Sequence, residues 1–250
     1  MSKGYYLYCI IDSVDDASLG PIGIEESSVI TISNNNISAV VHPVESGVKI
    51  ENSQESLKWV AAHQSVVEEA WKRYKTILPF AFGTIIRGDE NKLRIWMERE
   101  NDRLVKKMFN VRDKAEYGVQ IFWCPSRCIE KVVNSKNDLM ELKKKSEGES
   151  TGTAYMYKKR YEKALKDEME HKATELFRVF FKQIKQCVSN ITVEKIKRLE
   201  GDKQMLLNVS CLSDAEQVKK LGDLLEDIGQ CEDHTVRFTG PWPPYSFVGI

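Results

Sequence analysis

The residues whose types and spacing could support chemistry are few, and each set lacks a member. His63 sits on a predicted helix with Glu68 and Glu69 downstream. A zinc-protease helix, however, needs glutamate directly after the histidine and a second histidine four positions on, where Gln64 and Val67 stand. Cys124-Pro125-Ser126-Arg127-Cys128 separates two thiols by three residues, outside the redox Cys-x-x-Cys spacing and without a second cysteine pair to complete a zinc set. Gly148-Glu149-Ser150-Thr151-Gly152-Thr153 has glycines but no lysine in the phosphate-binding position and no clear strand before it, so it reads as a solvated linker. His42, His63, His171 and His234 are scattered, and each reads as a hydrogen-bonded structural histidine. Asn190-Ile191-Thr192 and Asn208-Val209-Ser210 match the glycosylation triplet, a chemistry of secreted proteins, and read as coincidences. The expectation is therefore no catalytic, cofactor-binding or metal-binding residue, no cofactor, and a protein that is not an enzyme.

The most unusual segment is the C-terminal arm. Pro241, Pro243 and Pro244 remove three amide donors and fix backbone angles, which rules out an interior strand and predicts a rigid extended arm. Trp242, Tyr245 and Phe247 carry large apolar areas. The arm is expected to fold back and close a core, burying Trp242, with docking on a partner as the alternative.

Composition narrows the function classes. Across 250 residues, 37 basic side chains balance 37 acidic ones, so no global field favours phosphate backbones or anionic lipid, and nucleic acid and membrane are not expected partners. The lysine-rich runs Lys158-Lys159-Arg160 and Lys219-Lys220 are interleaved with acids and read as solvated helix faces. No hydrophobic signal core follows Met1, and no apolar run approaches twenty residues, which points to a cytoplasmic protein with six reduced, mostly buried cysteines.

The elements that must position these residues follow from periodicity and turn chemistry. Strands are predicted at Tyr5 to Ile11, at Ser28 to Ile32 and Ile37 to Val41 around Asn34-Asn35-Asn36, at Ile77 to Ile86 with a break, and at Glu116 to Trp123. Helices are predicted from a cap at Asn52 or Ser53 to Tyr74 and from Glu90 to Arg112. This order predicts an α+β protein whose N-terminal domain, residues 1–125, is a ferredoxin-like antiparallel sheet with two helices. Residues 126–250 are expected to form a second α+β domain. It would hold a charged helix with Lys143-Lys144-Lys145, a flexible joint at Gly148, Ser150 and Gly152, and a helix from Ala154 to Cys187, roughly 50 Å long, part of which must pair with another helix or project. A strand at Met205 to Leu212, a helix capped by Asp214, a strand at Thr235 to Thr239 and the arm complete it.

Gly240-Pro241-Trp242-Pro243-Pro244-Tyr245-Ser246-Phe247 closely resembles the terminal signature of the gas vesicle protein F/L family. Further matches stand in the family's order: Tyr6-Leu7-Tyr8, His63, Leu78-Pro79-Phe80-Ala81-Phe82-Gly83-Thr84, Glu116-Tyr117-Gly118-Val119-Gln120-Ile121 and Gly152-Thr153-Ala154-Tyr155. Ala81 departs from a position where the family often has a larger or charged residue, and Tyr117 from one where it often has tryptophan. The resemblance implies an N-terminal ferredoxin-like domain, a C-terminal α+β domain, and no established catalytic residues. It also implies a role in gas vesicle formation, at the vesicle, through contact with the small hydrophobic shell protein and other accessory proteins. The first domain's sheet is the expected contact. A ligand-sensing regulatory protein on a ferredoxin-like domain, or an enzyme of unfamiliar type, would instead require a pocket with convergent polar groups.

Overall fold

The computed structural model describes residues 3–45, 54–148, 151–196 and 202–249. The chain is α+β and divides into two compact units, residues 1–116 with 240–250 and residues 117–239. The expected single boundary at 125/126 had kept the terminal arm with the second half. The expected helix cap at Asn52 or Ser53 lies outside the described residues, as do Glu149 and Ser150 of the expected joint.

In the first unit, β1 (Lys3–Ile11) lies inside an antiparallel sheet ordered β2 (Ser18–Gly20), β3 (Val29–Asn34), β4 (Ile37–Glu45), β1, β5 (Ile77–Pro79). β6 (Ile85–Arg87) also pairs with β1, through Tyr6↔Ile85, while β5 pairs further along, through Ile10↔Leu78. One β-like run thus becomes two short strands on the same neighbour, separated by Phe80 to Thr84. Tyr6 to Ile11 are all buried, as expected for a strand covered on both faces. The β3–β4 hairpin turns at Asn35, whose φ of 53° lies in the left-handed region that asparagine tolerates. Helix α1 (Gln54–Tyr74) buries Val66, Val67 and Ala70 against Tyr8, Ile11 and Ile77. Helix α2 (Glu90–Val111) is capped by Asp89, whose carboxylate accepts the Lys92 amide at 3.0 Å.

The strand expected to complete this first sheet does not. β7 (Ala115–Trp123) belongs to a second sheet, ordered β10 (His234–Trp242), β7, β9 (Gln204–Ser213), β8 (Asn190–Val193). The reason is its apolar face: Val119, Ile121 and Trp123 pack with Leu207 and Val209 of β9 and with the helices that follow. These are α5 (Thr151–Cys187), through Phe180 and Ile184, and α6 (Ala215–Gly229), through Leu221 and Leu225. The β-α-β-β-α-β succession is therefore β7, α5, β8, β9, α6, β10, with α3 (Pro125–Asn134) and α4 (Asn137–Gly148) inserted. Asp214 closes a capping box with Gln217 at the start of α6.

Helix α5 has 37 residues, roughly 55 Å at 1.5 Å per residue. Its C-terminal half packs on the sheet, and its N-terminal half meets a small cluster in which Val132, Val133 and Leu139 of α3 and α4 pack against Tyr161, Leu165 and Met169. Two different partners explain why its apolar pattern drifts. The charged stretch after Pro125 continues as α4 to Gly148.

Candidate functional site

β1 sends Tyr6 and Tyr8 into the first unit's core, where each phenol meets a histidine from another element. Tyr6 Oη lies 3.0 Å from His63 Nδ1 on α1, and Tyr8 Oη lies 2.9 Å from His42 Nδ1 on β4. The Gly83 amide donates to Tyr6 Oη at 2.9 Å, and the Ile24 amide donates to Tyr8 Oη at 3.0 Å. Each phenol therefore spends its own hydrogen on the imidazole. His63 then carries its proton on Nε2, where it donates to the Phe80 carbonyl at 3.2 Å. Burial pushes both imidazoles down to about 4, so they are neutral at pH 7, and it pushes the Tyr8 phenol up to about 12. Gly23 makes room for this network, since a Cβ there would stand 2.8 Å from Tyr8 Oη.

The terminal arm belongs to the same unit and is only partly extended. β10 runs through Pro241 to Trp242, which a proline permits because β10 is a sheet edge. The chain then turns into the short helix α7 (Tyr245–Val248). Ser246 is clasped by Glu116, a carboxylate only 9% exposed: the Ser246 amide donates to Oε2 at 2.8 Å and Ser246 Oγ to Oε1 at 2.6 Å. Lys107 on α2 donates to the carbonyls of Val248 and Gly249. Pro243, Pro244 and Val248 take the buried positions, while Trp242 is 48% and Tyr245 37% exposed. The expected burial of Trp242 is therefore overturned. Trp242, Pro243 and Tyr245 instead line an open cavity of about 330 Å³ with Gln64, Glu68 and Glu116.

The second unit holds the other residues singled out in the sequence. Cys124 is the residue before Pro125 at the first position of α3, and its amide donates to the Asp233 carbonyl at 3.3 Å. None of the six cysteines is joined in a disulfide among the described residues; Cys9, Cys128 and Cys211 are buried, Cys124 and Cys187 half-buried and Cys231 exposed. His171 is exposed. His234 is not the hydrogen-bonded histidine expected: both ring nitrogens are buried without a partner, and the ring packs edge-on against Phe180 at 5.2 Å. Lys159 pairs with Glu162 and Lys220 with Glu216, as solvated helix faces do. Among the described residues no three His, Cys, Asp or Glu side chains stand where they could hold a metal ion, and no helix is long and apolar enough to cross a membrane.

The Tyr–His pairs and the Glu116–Ser246 clasp were not legible as pairs, since 57, 34 and 130 residues separate their members. Each residue stood in the sequence singly, without a partner to mark it.

Comparison with known proteins adds a family to this geometry. The model of a family described as gas vesicle synthesis protein GvpL/GvpF matches residues 4–249. The chain is 27% identical to gas vesicle protein L1 of Halobacterium salinarum, covering 99% of this chain and 91% of that one. It is 28% identical to gas vesicle protein L of Haloferax mediterranei, covering 90% and 72%. Among solved structures it is similar to the gas vesicle protein GvpF of Anabaena, with a TM-score of 0.78, 19% identity and 99% coverage of both chains. At that identity the likeness establishes the fold alone.

Proposed function

Since the chain belongs to the gas vesicle synthesis protein GvpL/GvpF family, we propose that it serves gas vesicle assembly without catalysis, by transiently holding the small hydrophobic shell protein. The match across residues 4–249 carries this reading, and the exposed aromatic arm supports it. A shell subunit has a strongly apolar side that is an aggregation hazard in water until it is assembled. Trp242 and Tyr245 offer apolar area at low conformational cost beside an open cavity, which suits a contact of that kind. We place the contact on the first unit, now including the arm rather than β7. Other accessory proteins of the vesicle are further partners in this reading.

The test is a pull-down of tagged shell protein by the intact chain, with light scattering of the shell protein as the readout of protection. Fragments ending at residue 125 would divide both compact units and are unsuitable. The chain should bind and reduce scattering without nucleotide or metal, and added salt should weaken the contact little because it is largely apolar. Trp242→Ser with Tyr245→Ser should abolish protection while unfolding stability falls by only about 1 kcal/mol, as exposed substitutions do. Undiminished protection by this variant would remove the arm from the contact. No binding by the intact chain would remove the reading.

A further inference from the structure

A second cavity in the first unit, of about 180 Å³, is bounded by β1, β4, β6, α1 and the 3-10 turn Ile24–Glu26. Its walls are apolar and aromatic, with Ile24, Val44, Trp59 and Ile85 beside the Tyr6 ring. Two exposed carboxylates, Glu25 and Glu45, join the lining, and neither has an ion-pair partner among the described residues. None of the lining side chains is a lysine or arginine.

The cavity also has a polar wall. His42, only 4% exposed, lines it, and the ring stacks on Tyr6 at 5.2 Å. Its Nδ1 takes the Tyr8 hydrogen, so the remaining proton sits on Nε2, for which the described residues supply no acceptor. Nε2 is open to the cavity, where a ligand oxygen can accept its hydrogen in place of solvent. Glu25 is held in place at a cost: it and Glu26 have φ of 54° and 57°, left-handed values unfavourable for consecutive residues that are not glycine.

We infer that this cavity binds a small organic cation, an amine or guanidinium that also carries a carbonyl or hydroxyl oxygen. The cation sits between Glu25, Glu45 and the Trp59 face, and the oxygen accepts from His42 Nε2. The same chemistry is offered by a free amino acid amide and by a lysine or arginine of another chain. This inference does not rest on the shell-protein reading, which concerns a different cavity.

Isothermal titration of the full chain tests it with four probes: lysinamide, N-acetyl-lysine methylamide, n-butylamine and N-acetyl-norleucine methylamide. Saturable binding is expected for one or both lysine compounds, about tenfold weaker binding for butylamine, and none for the norleucine compound. Glu25→Gln with Glu45→Gln should weaken lysine-compound binding by about tenfold and leave Tm unchanged, because both side chains are exposed. Retention of binding on N-acetylation identifies a chain-borne side chain as the source, and its loss identifies a free amino compound. Absence of saturable binding by every amine, or equal binding by the glutamine variant, overturns the inference.

Discussion

His42 and His63 make the fold sensitive to acid in a definite direction. In the unfolded chain each titrates near 6.5, whereas burial holds each near 4 in the folded protein. Between those values the unfolded state binds more protons, so stability falls as pH drops from about 6.5 to about 4 and is fully present above that window. Each histidine contributes at most about 3 kcal/mol to this loss. Urea midpoints measured from pH 7 to pH 4 should decline accordingly, and Tyr6→Phe with His63→Leu should remove roughly half of the pH dependence while lowering stability at pH 7. A profile unchanged by that pair of substitutions would place the acid sensitivity elsewhere. The sequence named His63 without its partner because a buried hydrogen bond leaves no periodic trace. It misplaced Trp242 for a related reason: aromatic character predicts burial, but Pro243, Pro244 and Val248 occupy the buried positions of the arm.

At the scale of elements, long periodic segments were legible and their partners were not. α1, α2 and α5 end within a few residues of their expected limits, because an apolar stripe with a cap or break defines them locally. β2 and β8, with three and four residues, gave no signal because so short a run has no period to read. β7 was found as a strand but assigned to the wrong sheet, since alternation specifies a buried face and not the strand that lies beside it. Gly118 on β7 shows how closely one neighbour comes: a Cβ there would stand 2.7 Å from Thr239 Oγ1 on β10. Gly118→Ala should therefore cost about 1–3 kcal/mol through overpacking. Adding Thr239→Ala should restore much of that loss, a coupling that a double-mutant cycle in denaturant would measure. Additive effects would show that Thr239 is not the obstacle.

For the whole molecule, the α+β class was readable from the mixture of helical and alternating patterns, but its division was not. Proline, lysines and glycines near residues 125–152 suggested a joint, yet α3 and α4 occupy most of that stretch and pack on α5 within one unit. The chain passes between units inside β7, where nothing in the composition marks a border, and again inside β10, at Gly240-Pro241, which reads as the start of the arm rather than as a border. That double passage orders events during synthesis. The second unit is one continuous stretch, residues 117–239, whereas the first must wait for residues 240–250. At about 5–20 residues per second, a ribosome needs roughly 6–25 s to make the intervening stretch. Throughout that time Glu116 has no Ser246 to accept from, and Lys107 has no carbonyls of Val248 and Gly249 to bind. A chain stopped after Thr239 should protect the amides of β9 and α6 from hydrogen exchange while those of β5 and the end of α2 exchange faster than in the full chain. Equal protection in both chains would show that the first unit closes without its final segment. Residues 240–250 thus act as a late closing piece: a chain that has not yet received them keeps its first unit unfinished, and only one that contains them presents Trp242 and Tyr245 on a closed surface.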